Sequence, residues 1–481
     1  MHPESILIGW FTHLRRIISM TQSTTSVVTE PSAQASLAAL VAHLKSRGIF
    51  DELRAGVHLA QKTVKDSPQD KVQDILLALL AGVQSLVQLN TLLRQESGLQ
   101  QAVGRSRTAE QSVAQQTLDA ASAENVAEVQ QVLTTLLQRH SQVARHPFRQ
   151  HWLILDADLT GMPAGKRAEE SLKGYFSDPR QRRGRQQGRV LASQYGEIVV
   201  DALSPGNTLL VQVLPQLIEQ AEGVLGLQPS QRRRTIYRID GGGGSIASLN
   251  FLLSRGYAVV SKEYSFRRTQ LLAKQVSQWV PDPAQPTREM GWVPEESTDY
   301  VAPVRRLVVR SKSTKDRWQY AVLLFAHLCD FDLLTLMGER PTTDAAAIMG
   351  AYLHFYDQRG GGIESSFGQD KSGLGITKRH KKRFQAQRFL MLLGTLAHNL
   401  LIWSRRWLAV TSPQVAGRLR HYGIKRLVRD LAHISGVLHF DAQGRLCAIT
   451  LCSANSLAKL MLLPLRHLLA PSSIDVTLDK T

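Results

Sequence analysis

Tyr356, Arg359, Glu364 and Lys371 set one carboxylate among three groups able to hold a phosphate, within the stretch YDQRGGGIESSFGQDK. Arginine grips phosphate oxygens with a two-pronged fork, lysine meets them as a point charge, and a tyrosine hydroxyl donates one hydrogen bond. A lone acid in that company points to chemistry on a polyanion, and one carboxylate cannot hold a catalytic divalent metal. Further acids must come from elsewhere. Asp156 and Asp158 lie in the apolar run WLILDADLTG, and Asp240 closes RTIYRID before a run of glycines. Carboxylates gathered at the carboxyl ends of strands could bind two divalent ions about 3.5–4 Å apart, one activating the nucleophile and the other the leaving oxygen. Oxygen ligands and a phosphate substrate favour Mg2+, with Mn2+ tolerated.

Each acid also has a plain reading. Asp156 and Asp158 share strand parity and face the same way, so only one need be a ligand. Asp158 stands nearer the strand edge and is the first choice, with Asp156 as the alternative. Asp240 could instead bond its own turn, and Glu364 could be a helix N-terminal acid favoured by the macrodipole. The GGGGS after Asp240 is no phosphate-binding Walker loop, because no Gly-Lys-Ser/Thr follows; it serves a sharp turn.

The elements that must position these residues follow from periodicity. Residues 36–141 read as helical throughout, with Val126, Val129, Val132, Leu133, Leu136 and Leu137 on one face and a second long helix over Ile75 to Leu93. Between them, Gly98 to Ala121 reads as helix, turn at Gly104, helix. This segment offers Gln111, Ser112, Gln115, Gln116 and Thr117, either to base edges as a helix-turn-helix does or simply to solvent in a helical bundle. From His151 the period shortens. Three adjacent strands are followed by a helix over 208–225, a strand, a helix from Ile246 and a fifth strand over Tyr257 to Tyr264, the pattern of a mixed α/β sheet. Residues 278–325 read as a mainly β insertion, broken by prolines. Helices resume over 343–356 and again from Ile363, and Gly436 to Leu451 reads as a hairpin around Asp441 to Gly444.

The formal charge of +18 is unevenly spread: residues 361–430 hold 14 Lys and Arg against Glu364, Asp370 and Asp430. Such a field, with Lys378, Lys381 and Lys382 clustered in KRHKKR, favours a nucleic acid or an anionic membrane; the alternative is a solvated basic face. Three scattered cysteines give neither a disulfide framework nor a zinc site and fit a reducing compartment. The apolar run ILIGWF is too short to span a bilayer and lacks a cleavage site, so neither membrane nor export is expected, and Met20 is an alternative start. The Ser/Thr-rich residues 21–35 read as disordered. His398, on an apolar helix, reads as a satisfied structural histidine.

Together these residues resemble the DDE transposases of bacterial insertion sequences, in the branch marked by a Tyr-Arg-Glu-Lys signature around the third acid. Tyr356, Arg359, Glu364 and Lys371 occur in that order, Asp158-Leu159-Thr160 matches the Asp-x-Thr of the first acid, and Asp240 follows a strand and precedes a glycine turn. The similarity spans about residues 90–410. It implies an RNase H-like mixed sheet flanked by helices, with a β-rich insertion and an N-terminal all-α domain. The corresponding division is a tail at 1–35, a helical DNA-binding domain at 36–145, core segments at 146–277 and 326–435 around an insertion at 278–325, and a C-terminal hairpin and helix at 436–481. It further implies a cytoplasmic homodimer on double-stranded DNA, cutting terminal inverted repeats and joining the freed 3′-OH to target DNA. Asp158, Asp240 and Glu364 would hold two Mg2+ ions, Tyr356, Arg359 and Lys371 would grip phosphates, and Trp318 or Trp292 would stack on a displaced base unless it is a core residue. One departure stands out. Four residues separate Arg359 from Glu364 where the family has three, and on a straight helix the extra one rotates Arg359 by about 100°. The glycines are expected to loop it out, or the helix to begin near Ile363.

Overall fold

A computed structural model describes residues 27–63, 65–176, 182–294, 299–313 and 316–480. Its strands, in chain order, are β1 (Val28–Ser32), β2 (Leu153–Pro163), β3 (Leu172–Lys173), β4 (Arg183–Ala192), β5 (Glu197–Pro205), β6 (Thr235–Ile239), β7 (Ala258–Lys262), β8 (Val280–Asp282), β9 (Gln285–Trp292), β10 (Arg305–Lys312), β11 (Trp318–Ala326), β12 (Gly436–Phe440), β13 (Leu446–Leu451) and β14 (Asp475–Leu478). The helices that matter for the site are α1 (Ala35–Ser46), α2 (Pro68–Leu80), α3 (Gln111–Asp119), α4 (Ala123–His140), α5 (Leu210–Leu225), α6 (Ile246–Ser254), α7 (Ala345–Arg359), α8 (Ser365–Gly373), α9 (Phe384–Ala409) and α10 (Ser456–Leu469).

The mixed α/β expectation holds. β2, β4 and β5 form an antiparallel meander, and β6 and then β7 add in parallel on the other side of β2. The order across this part is β5-β4-β2-β6-β7. The period-two pattern of β2 divides its side chains between two cores. Leu153, Leu155 and Ala157 face a core with Leu214, Leu217 and Ile218 of α5 and Leu249 and Leu252 of α6. Trp152 and Ile154 face the opposite core, with Tyr352 and Phe355 of α7. Asp156 and Asp158, by parity, point to the α7 side.

Residues 278–325 do not stand apart from this sheet. β11 pairs antiparallel with β7, and β10, β9 and β8 continue outward, so the insertion lengthens the same sheet. The N-terminal helices are not a separate unit either. Leu37, Leu40, Ile75, Leu79, Val126 and Val129 share one apolar core with Phe389, Leu393, Leu396 and Leu400 of α9 and with Ile449 and Met461 near the C-terminus. Within the stretch expected to be disordered, Val28–Ser32 is ordered as β1, paired antiparallel with β12 in a sheet of order β1-β12-β13-β14; residues 1–26 lie outside the described residues. The helix expected over 75–93 begins earlier, with Ser67 capping Asp70, and ends at Leu80, where Gly82 adopts a left-handed turn. The expected hairpin is β12 and β13. Among the described residues no helix is long and apolar enough to cross a membrane.

Candidate active site

Strand register brings the first two acids together. Ala157 of β2 stands beside Ile239 of β6 in the parallel pair, so Asp158 and Asp240 each lie one residue further on; β6 ends there, but β2 stays paired with β4 as far as Pro163, so Asp158 lies within its strand and not at the strand edge expected. Asp240 also closes its own turn: its Oδ1 accepts from the Gly242 N–H at 2.8 Å. The third acid comes from the helical segment that packs over β2 and β4 on this face of the sheet. α7 does not stop at the glycines. Gly360–Glu364 form one π-helical turn running directly into α8, with the Ser365 N–H reaching back five residues to the Gly360 carbonyl. The extra residue is therefore neither looped out nor placed before a new helix start; the wider turn absorbs it. π-turns of this kind recur at functional sites. Gly362 is where the turn meets the sheet, since a Cβ there would lie 2.9 Å from Asp156 Oδ2 and 3.2 Å from Ser193 Oγ.

This turn brings Arg359 and Glu364 to the same place. Arg359 Nη2 donates to Asp158 Oδ2 at 2.8 Å and Nη1 donates to Glu364 Oε1 at 2.9 Å, while Asp240 Oδ2 lies 3.9 Å from Nη2. One buried guanidinium thus joins the three acids found in sequence. Asp158 is nearly buried, whereas Asp240 and Glu364 remain open to solvent, at 42% and 61% side-chain exposure. Burial pushes the Asp158 carboxyl up to about 7, with Arg359 opposing and Asp240 and Glu364 adding to the rise. Beside these acids is a cavity of about 420 Å3 lined by Thr160, Tyr175, Leu209 and Tyr264 as well as Asp158 and Asp240.

The donor set is three hard carboxylate oxygens aimed at one cation, which suits Mg2+ in kind. Among the described residues, however, no three acid, His or Cys side chains stand close enough to hold an ion as arranged. Arg359 lies between them.

Other expected site residues fall in different places. Asp156, the alternative ligand, is fully buried and held bidentately by Arg238, with Nε to Oδ1 at 2.7 Å and Nη2 to Oδ2 at 2.9 Å, and Ser193 donates to the same carboxylate. It braces β2 against β6 and does not touch Arg359's fork. Lys371 Nζ donates to Thr160 Oγ1 at 2.6 Å and the Gly161 carbonyl at 3.0 Å, just past Asp158 on β2, and burial pulls it down to about 8. Tyr356 is partly buried on α7, and burial raises its phenol pKa. In the basic tract, Lys378 and Lys382 are exposed, but Lys381 is buried and donates to Gln115 Oε1 at 2.6 Å. The tract is turned inward at this point because Arg185 binds the Lys381 and Lys382 carbonyls, at 3.0 and 2.9 Å. The same contact occupies Gln115, and Thr117 is buried, which leaves Ser112 and Gln116 exposed on α3. Trp292 packs edge-on against Tyr352 under Arg305, a core arrangement, while Arg310 covers Trp318.

A buried network was not anticipated. Arg189, opposite Asp158 in the β2–β4 register, binds Asp201 through Nε and Nη2 at 2.8 Å and Asp370 of α8 through Nη1 at 2.8 Å. His398 of α9 meets Asp370 at 2.7 Å and the Gly196 carbonyl at 2.9 Å, so it is the satisfied histidine expected. This network fastens α8, and with it the turn carrying Glu364, to the sheet. The available signal was Arg183, Arg185 and Arg189 in a strand that carries no acid, RGRQQGRVLA.

No family model matches the chain, and no curated protein matches it. Among solved structures, the chain is similar to the piggyBac transposase in its synaptic complex with hairpin DNA, at 12% identity over 84% of this chain and 82% of that chain, with a TM-score of 0.46.

Proposed function

We propose that this protein is a DDE transposase with an RNase H-like core, acting on DNA phosphodiesters by metal-dependent hydrolysis at transposon ends and 3′-OH strand transfer into target DNA. The observation that carries the proposal is the meeting of Asp158, Asp240 and Glu364, 82 and then 124 residues apart in the chain, around one guanidinium over the neighbouring strands β2 and β6 of a β5-β4-β2-β6-β7 sheet. The three acids converge from two neighbouring strands and a helical turn, and Asp240 and Glu364 stay open to solvent although Arg359 is buried between them. Asp156, by contrast, has a structural partner and needs no other role.

Asp158, Asp240 and Glu364 would hold two Mg2+ ions, or Mn2+ in their place; when bound, these supply activation of the attacking oxygen and stabilisation of the leaving one. The chain's own cations then handle the substrate. Arg359 presents a fork suited to two oxygens of one phosphate, and Lys371, past Asp158, presents a point charge to the next. Tyr356 offers a single donor. Exposed Lys378 and Lys382 extend this basic surface along a duplex, which makes affinity depend steeply on salt. Two DNA ends must be joined in one event, so the working form is a homodimer on inverted repeats, at the nucleoid of the bacterial cytoplasm.

The test is incubation of the purified chain with Mg2+ and duplex carrying the repeats that flank its coding region. Nicking at the ends, followed by joining of pre-cut ends to a plasmid, is the expected result. Asp158→Ala, Asp240→Ala and Glu364→Ala should bind the duplex without nicking it. Undiminished nicking by any of these would sink the assignment. Nicking without joining would reduce the protein to a nuclease, and binding without nicking by the unaltered chain would reduce it to a DNA-binding regulator.

A further inference from the structure

We infer that Arg359 is the resident counter-ion of the acid cluster, and that divalent metal enters only as its guanidinium leaves. This rests on the metal-dependent reading above and adds a competition to it. The guanidinium is 4% exposed and spends both terminal nitrogens on the acids, at 2.8 Å to Asp158 and 2.9 Å to Glu364, with Asp240 at 3.9 Å. Its Nε is buried without a hydrogen-bond partner, and among the described residues no other group binds the fork.

Three carboxylates in a partly buried site repel one another, and a single cation among them removes much of that cost. The same volume cannot serve twice. Magnesium needs carboxylate oxygens at about 2.0–2.1 Å, and two such ions sit about 3.5–4 Å apart. A guanidinium bonded to the same oxygens blocks that approach and adds like-charge repulsion. Occupancy by Arg359 and by metal are therefore coupled negatively, and the coupling is reciprocal. A phosphate oxygen pair is the natural alternative partner for a displaced fork. Substrate DNA would thus favour metal loading by holding Arg359 away from the acids, and the free protein would be poorly loaded.

The experiment measures Mn2+ binding to the full chain without DNA, by calorimetry and by electron paramagnetic resonance. Arg359→Met keeps the side-chain volume and removes the charge. It is expected to bind Mn2+ at least about tenfold more tightly than the unaltered protein, and to gain more in melting temperature when Mn2+ is added. Arg359→Lys, with a cation of shorter reach and no fork, is expected to fall between the two. Should Arg359→Met fail to fold without metal, the Lys variant alone decides. Equal or weaker Mn2+ binding by folded Arg359→Met, or by Arg359→Lys where the Met variant is unfolded, overturns the inference. Asp158→Asn separates this failure from a deeper one. If Asp158→Asn loses Mn2+ but neither arginine variant gains affinity, the competition alone is wrong. If Asp158→Asn leaves Mn2+ binding unchanged in the Arg359→Met or Arg359→Lys background as well, the acids hold no metal and the proposed function falls with the inference.

Discussion

At the scale of single residues, the site depends on charges placed where burial perturbs them. Lys371 is the clearest case. Its ammonium sits against Thr160 and the Gly161 carbonyl with no carboxylate bonded to it, and desolvation, helped by Arg189, draws it down to about 8. The free protein therefore sheds this proton as pH rises through 8, while a DNA phosphate beside it would hold the proton on. If the proposed DNA phosphate meets Lys371, binding should be at full strength below about pH 8 and weaken above it, by up to about tenfold per pH unit. Lys371→Arg keeps its charge throughout and should flatten the profile. Fluorescence anisotropy of end DNA across pH 7 to 9 measures this, and parallel profiles for the two proteins would remove Lys371 from the interface. Residue types alone announced that lysine, as they did Asp158, Asp240 and Glu364. They could not show that Asp156 is consumed by Arg238, or that Lys381 turns inward to Gln115, because those fates are set by neighbours on β6 and α3 that are remote in the chain.

At the scale of elements, one turn of helix reconciles the sequence with the geometry. Arg359 and Glu364 are five residues apart, which on an α-helix places them about 140° from each other. The π-turn over Gly360–Glu364 closes that angle, so both meet Asp158. Spacing showed that something had to give at the glycines; it did not show the form, because a loop, a restart and a wide turn all accommodate one residue. The turn makes a specific expectation. Deleting Gly361, whose Cβ position faces open space, leaves Arg359 and Glu364 four apart on an ordinary α-helix. The protein should fold and be as stable, or more stable by about 1 kcal/mol through loss of a helix-interior glycine. Gly362→Ala should instead destabilise by about 1–3 kcal/mol, because the new methyl meets a carboxylate that Arg238 holds fixed. Urea unfolding of the two variants tests the turn: loss of folding on deleting Gly361, or a neutral Gly362→Ala, would contradict it.

At the scale of the whole molecule, the apolar patterns of the strands and helices were legible, but the boundaries between units were not. Periodicity says which face of a helix is buried and not against what. Helices α2, α3 and α4 pack on α9, a 26-residue helix that begins only at Phe384, α1 packs on α10 near the C-terminus, and β1 pairs with a strand that begins at Gly436. Thr395 and His398 on that same α9 bond Asp201 and Asp370, so one helix forms the floor of the helical region and the brace of the site. A segment read as an independent DNA-binding domain therefore lacks most of its own core. Expressed alone, residues 27–146 should leave Leu40, Ile75, Leu79 and Val129 without the α9 and α10 side chains that share their core, and the cost of losing several large apolar contacts, at about 1.5–3 kcal/mol each, exceeds the stability of a typical domain. The isolated segment should show no cooperative thermal transition by circular dichroism, while its co-expression with residues 147–480 should restore one. A sharp, reversible melt of the segment by itself would mean that the helical region is a domain after all, and that α9 only docks onto a structure already complete.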